Sequence, residues 1–125
     1  MAPIDEKRKF ISINIGVLTI SDSRTLKDDT SGKFLVQSIT DLGHHIYERQ
    51  IIKDEISLIK NIVLKWATDR NVDAIITSGG TGLTGRDSTP EAINSIADKN
   101  IEGFGELFRQ ISFNKIGTST IQSRA

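Results

Sequence analysis

The stretch Gly79-Gly80-Thr81-Gly82-Leu83-Thr84-Gly85 has the plainest chemical potential in the chain. Successive glycines leave backbone N–H groups uncovered, and such groups cradle phosphate or another anion. Two residues further on, Asp87 offers a carboxylate of the kind that a hard cation such as Mg²⁺ takes together with phosphate oxygens. Asp54 offers a second carboxylate, and Ser21, Asp22, Asp29 and Ser31 make a third polar group. Each also has a plainer reading. Asp54 and Asp87 suit helix N-caps, Ser31 suits the cap of the helix after the first loop, and Asp28-Asp29 suits a solvated charge pair. On converging loops, however, these residues would form a Mg²⁺–nucleotide site.

The elements that must position them follow from the hydrophobic pattern. Ser12 to Ile20 turns from alternating to continuously apolar, which predicts a strand buried on both faces. Ser21 to Gly32 is a polar loop. Leu35, Ile39 and Leu42 fall on one face of a helix that Gly43 stops. His45 to Ile52 predicts a second strand, Asp54 a cap, and Ile56, Ile59, Val63 and Trp66 the apolar face of a second helix. Val72 to Ser78 predicts a third strand. After the glycine loop, Ser88 to Glu91 has capping-box spacing with Pro90 in the first turn, and Ile93, Ile96 and Ala97 form the expected buried face. Phe104, Leu107, Phe108 and Ile111 mark a further amphipathic helix, and Gly117 to Ala125 is a weakly patterned tail. Strand alternating with helix predicts an α/β fold, a mostly parallel sheet with helices on both faces, with ligands beyond the carboxyl ends of the strands. Three strands make a thin sheet.

Composition removes several classes of function. The 125 residues suit one domain. Sixteen basic residues balance sixteen acidic ones, which leaves no positive excess for nucleic acid or a polybasic membrane anchor. The absence of cysteine excludes disulfides, thiolate metal sites and cysteine nucleophiles. His44 and His45 suit a turn and a strand start better than a catalytic pair. The run after Lys7-Arg8-Lys9 is interrupted by Ser12 and Asn14, so it reads as neither signal peptide nor membrane span, and a cytoplasmic protein is expected. Gly80 to Gly85 matches G-x-G-x-x-G literally, but Pro90 would then lie inside the helix and no acidic strand end follows. No Gly-Lys-Ser/Thr follows the loop, which removes the Walker A reading.

Several motifs occur in order: Leu18-Thr19-Ile20-Ser21-Asp22, Asp29-Thr30-Ser31-Gly32, Ser78 to Thr84, Asp87 with Thr89-Pro90-Glu91-Ala92, Glu102-Gly103-Phe104-Gly105-Glu106, and Ile116-Gly117-Thr118-Ser119 to Ser123-Arg124-Ala125. From about Phe10 onward the chain resembles the MoaB/MogA family of molybdenum-cofactor biosynthesis, closest to its MoaB branch. The resemblance implies a three-layer α/β domain over 11–125, preceded by an N-terminal arm at 1–10. It implies a molybdopterin adenylyltransferase that moves AMP from Mg-ATP to the terminal phosphate of molybdopterin and releases pyrophosphate. Asp87 and Asp54 would organise Mg²⁺ and phosphate. Gly79, Gly80, Thr81 and Gly82 would hold nucleotide or pterin, beside Ser21, Asp22, Asp29 and Ser31. Glu106 and Ser119 match positions near the pocket or a subunit boundary. Family members are trimers or hexamers and pass their product to a molybdenum-inserting step. They also continue past Ser-Arg-Ala with a strand, a Pro-Gly loop and a helix, so a domain lacking its last strand and helix is expected. The alternative is a non-catalytic molybdopterin-binding or oligomer-forming module.

Overall fold

The computed structural model of the chain describes residues 5–124, so the first four residues of the expected arm and Ala125 lie outside the described residues. Strands β1 (Asn14–Ile20), β2 (His45–Ile52) and β3 (Ala74–Ser78) alternate with helices α1 (Thr30–Asp41) and α2 (Ile56–Ala67). Helices α3 (Thr89–Asn94) and α4 (Glu102–Ile116) follow, then a 3₁₀ turn, Gly117–Gln122. The sheet is parallel throughout, in the order β2-β1-β3. As the middle strand, β1 is buried on both faces, which explains its unbroken apolar run.

The two faces carry separate cores. Ile15 and Val17 pack with Ile39 of α1 on one side. Leu18 and Ile20 pack with Ile59 and Trp66 of α2 and Ala92 of α3 on the other. Helices on both faces of one sheet make the expected three-layer α/β sandwich. Gly16 makes room for the indole: a Cβ there would lie 2.6 Å from Trp66 Cε3. The indole N–H donates to Glu48 Oε2 at 3.1 Å, and the Tyr47 ring meets it edge-on, so Trp66 is held on several sides. Gly16→Ala should therefore destabilise the fold by about 1–3 kcal/mol, the ordinary cost of overpacking, measured by urea denaturation.

Several local expectations change. Helix α1 is capped by Asp29, whose Oδ1 accepts from Gly32 N–H, and not by Ser31. Asp54 does not cap α2. The cap position is Glu55, without a side-chain bond, because the Asp54 carboxylate is engaged by Ser88. Ser88 stands at the cap of α3 but gives its hydroxyl to Asp54, and Glu91 pairs with Arg124, so no capping box forms. Pro90 does sit in the first turn. The helix ends at Asn94, before Ile96 and Ala97, and it is Ala92 that is buried while Ala97 is exposed. Strand β1 begins at Asn14 because the Ser12 hydroxyl donates to Gly43 O and Ile13 N–H to His44 Nδ1. Strand β3 begins at Ala74 because Val72 N–H closes a turn on Asp69 O. Leu42 and Ile56 are exposed at the ends of their helices. Helix α4 rests chiefly on the turn that follows it, so Phe104, Leu107, Phe108 and Ile111 stay exposed instead of filling a core.

Candidate functional site

The strands end at Ile20, Ile52 and Ser78, and the loops leaving them interlock. Gly79 crosses directly over β1: its φ is +95°, and a Cβ would overlap the Ile20 carbonyl oxygen. Gly80 has φ +66°, and a Cβ there would overlap Thr89 Oγ1 and come within 2.8 Å of Asp54 Oδ2. These two glycines are required where they stand, one by a neighbouring backbone and one by two oxygens. Thr89 N–H donates to Gly80 O at 3.1 Å, which closes the loop onto the start of α3.

Two carboxylates fasten the three loops together. Asp22, after β1, accepts Asp54 N–H at 3.1 Å and both ends of the Arg86 fork at 3.0 and 2.8 Å. Asp54, after β2, accepts Ser88 N–H at 3.1 Å and Ser88 Oγ–H at 2.6 Å. Arg86 and Ser88 are therefore both pinned, and Asp87 stands between them. The Arg86 guanidinium, and after it Asp54 N–H, hold the Asp22 carboxyl below its ordinary range. Asp87 Oδ2 accepts the Thr84 hydroxyl at 2.6 Å and Thr84 N–H at 3.1 Å. Those two bonds, with the Arg124 charge, outweigh burial and keep Asp87 ionised below the usual aspartate range. Its carboxylate fills the space over Gly82, where a Cβ would fall 2.5 Å from Oδ2. Arg124 ties the assembly from outside. It donates to Thr81 O at 3.3 Å and Asp87 O at 2.6 Å, and it pairs with Glu91.

Three adjoining hollows lie along this rim. The largest, 880 Å³, lies between α1, β3 and α4, with Ser31, Phe34, Ser78, Thr81, Phe104 and Phe108 in its wall. A smaller one of 340 Å³ shares Ser31, Ser78 and Gly79 with it and adds Thr19, Ser21 and Arg24. A third of 410 Å³ shares Ser21 and Arg24 with the second and runs along β2 past Arg49 and Lys53, also touching Asp22.

The structure thus brings Asp22, Asp54, Asp87, Gly79, Gly80, Thr81 and Gly82 into one loop system, with Ser21 and Ser31 beside it. Of these residues Ser21, Asp22, Ser31, Gly79 and Thr81 line the three hollows, whereas Asp54, Asp87, Gly80 and Gly82 line none of them, and neither does Asp29. Asp29 is fully buried and accepts from Thr19 Oγ1 at 2.6 Å, Gly32 N–H at 3.0 Å and Arg49 Nη2 at 3.2 Å. Burial alone would raise its carboxyl; the bonds from Thr19, Gly32 and Arg49 and the Arg49 charge bring it below the ordinary range. Glu106 and Ser119 are exposed and line none of these three hollows. Arg24, Arg86 and Arg124 also belong to this rim; the sequence signals for them are slight, Arg86 directly preceding Asp87 and Arg124 standing in the Ser-Arg-Ala segment.

Among the described residues no group of three or more histidines and carboxylates could cage a metal. Mg²⁺ does not need one, since one or two carboxylates and substrate phosphates suffice. Thr89 Oγ1 is buried without a hydrogen-bond partner and, with Asp54 Oδ2, converges on the space over Gly80. These are hard oxygen donors, and the residues present fit such a cation.

Comparison with known proteins agrees with this architecture. Residues 16–125 match the family model described as a probable molybdopterin binding domain. Molybdenum cofactor biosynthesis protein B of Escherichia coli K12 is 44% identical over 117 residues, which covers 94% of this chain and 69% of that protein. A crystal structure of a molybdenum cofactor biosynthesis protein B superposes with a TM-score of 0.89 at 41% identity, covering 94% of this chain and 74% of that one. The tungsten cofactor synthesizing protein MoaB from Pyrococcus furiosus gives a TM-score of 0.78 at 32% identity, with 90% and 70% covered.

Proposed function

Since the chain belongs to the MoaB/MogA family of molybdenum cofactor biosynthesis proteins, we propose that it transfers an adenylyl group from Mg-ATP to the terminal phosphate of molybdopterin. A phosphate oxygen of the pterin attacks the α-phosphorus, the bond to the β-phosphate breaks, and pyrophosphate leaves. The nucleophile comes from the substrate, in keeping with a chain that has no cysteine. The observation that carries the reading is the loop system itself: the glycine loop, an Asp87 carboxyl held below its ordinary range and a pinned Asp54 come together beyond the strand ends.

The reaction brings two anions together, so positioning and charge neutralisation must do most of the work. Mg²⁺, when bound, neutralises phosphate charge. Asp87 and Asp54 would hold it from the carboxylate oxygens not spent on Thr84 and Ser88. Gly79 to Gly82 would present N–H groups to the phosphates. Asp22 would act through others, by fixing Asp54 N–H and Arg86. The same proposal includes a homo-oligomer, trimer or hexamer, and hand-over to a molybdenum-inserting enzyme. No helix among the described residues is long and apolar enough to cross a membrane.

One observation favours a second reading, in which the protein binds molybdopterin without turnover. Asp87 spends one carboxylate oxygen within its own loop, as a purely structural residue would. Molybdopterin-dependent pyrophosphate release separates the two. Asp87→Asn should lower the rate about 10- to 100-fold, the ordinary cost of disturbing a group that organises a metal, with pterin binding retained. No release by the folded wild type, with molybdopterin still bound, would establish the binding reading.

A further inference from the structure

The rim carries four arginines, and three already donate hydrogen bonds to protein acceptors. Arg86 holds Asp22 with two bonds. Arg124 holds Glu91 and the carbonyls of Thr81 and Asp87. Arg49 donates to the Asp29 carboxylate and carbonyl. Arg24 differs. Its side chain is 49% exposed, and its ion pair with Asp29 is 3.9 Å long, beyond hydrogen-bond distance. Its base is nonetheless fixed, because the Ser21 hydroxyl accepts Arg24 N–H at 3.1 Å and Ser23 N–H at 3.3 Å. An anchored backbone carries a guanidinium with donors to spare.

The position of that guanidinium matters. Ser21 and Arg24 are the two residues common to the 340 and 410 Å³ hollows. The nearby carboxylates do not quench it: Asp22 is matched by Arg86, and Asp29 is buried and matched by Arg49. Lys53 adds a second cation along the 410 Å³ hollow, and Ser31 and Ser78 line the 340 Å³ one. We propose that Arg24 grips a phosphoryl group of the ligand at the junction of these two hollows, as the anchoring cation for a phosphate monoester or diphosphate. Its planar fork suits two phosphate oxygens at once. That the anion is a phosphoryl group rests on the adenylyl-transfer reading, in which both substrates carry phosphate.

The test titrates the full chain with inorganic pyrophosphate by calorimetry at fixed ionic strength, comparing wild type, Arg24→Gln, Arg24→Lys and, as a remote control, the exposed Arg70→Gln. Arg24→Gln should weaken binding about ten-fold or more, the ordinary worth of a hydrogen bond to a charged group. Arg24→Lys should recover part of the loss, and Arg70→Gln should stay within about two-fold, since exposed distant charges are screened. Thermal melts should coincide, because the Arg24 contact to Asp29 is long. Parallel titrations with Mg-ATP and with molybdopterin identify the source: a loss confined to one assigns that substrate's phosphate, and a loss in both assigns a shared contact. Absence of pyrophosphate binding to the wild type, or equal binding to Arg24→Gln, overturns the proposal. Arg24-dependent pyrophosphate binding without adenylyl transfer would overturn the reaction and leave the grip standing. Transfer with unchanged KM for both substrates in Arg24→Gln would do the reverse.

Discussion

Replacing Asp29 with alanine is expected to lower stability by about 3–5 kcal/mol, the cost of removing one partner from a buried charged network. The carboxylate joins three elements. It accepts the Thr19 hydroxyl from the central strand, caps α1 through Gly32 N–H, and takes the Arg49 guanidinium from β2. Alanine would leave a buried hydroxyl without its acceptor and a mostly buried guanidinium without its countercharge, a state far more costly than never having made the bonds. For a domain of this size the melting temperature should fall by roughly 10–20 °C. The effect carries a pH signature. The folded-state pKa of Asp29 lies below the ordinary aspartate range, so its contribution is fully present above the unfolded value, about 3.9. It is lost as pH falls through the folded value. Urea titrations at pH 7 and at pH 3 should show the gap between wild type and Asp29→Ala narrowing toward acid. Equal stability at pH 7 would show that the network contributes nothing net.

The second large effect is expected at Gly79, where alanine should cost about 3 kcal/mol or more. Two terms add. A φ of +95° is strained for any residue with a Cβ. The new methyl would also strike the Ile20 carbonyl oxygen, a backbone atom of the central strand that cannot rotate away. Relief requires the glycine loop to lift off β1, which also loosens the pins on Arg86 and Ser88. Gly79→Ala should therefore lose ligand binding together with stability. The internal comparison is Gly85, in the same loop, where a Cβ meets nothing within 4 Å. Gly85→Ala should stay within about 0.5 kcal/mol of wild type. Similar losses for both would mean that the loop is sensitive to any side chain, and that the crossing over Ile20 is not the cause.

Much of the fold was legible because each element had a local mark. Strand β2 was bounded by Gly43 at one end and Lys53-Asp54 at the other, and it runs from His45 to Ile52 as read. Pro90 placed the first turn of α3 for a reason that needs no neighbours, its fixed φ. The errors lie where a side chain had two local options and distant partners decided. Ser31 suited the cap of α1 and Asp29 a solvated charge or a ligand contact, yet Thr19 and Arg49 hold Asp29 where it caps the helix. Asp54 had the spacing of a cap for α2, yet Ser88, thirty-four positions later, holds it. Asp22 is joined to Arg86 across sixty-four positions, a distance at which no spacing rule operates. The glycines and carboxylates of the rim were visible as residue types. The arginines that hold or complete them were not, because a basic residue in a polar loop looks like any solvated charge until its partner is known. The exposed apolar face of α4 had the periodicity of a buried one, and periodicity does not say what a face meets.

Because β1 precedes both of its neighbours in the sequence and lies between them in the sheet, these three strands cannot be assembled from one edge to the other. Emerging from the ribosome, β1 can acquire β2 and α1 at once, and the Thr19–Asp29–Arg49 network lies wholly within that first stretch. The opposite flank of β1 must wait for Ala74–Ser78. At ordinary elongation rates the chain between Ile52 and Ser78 takes on the order of 1–5 s to make. During that interval the nascent chain presents one unpaired edge of a mostly apolar strand, the kind of surface to which other chains add themselves. Slowing translation after Ile52 should therefore lower soluble yield more than an equal delay after Ser78.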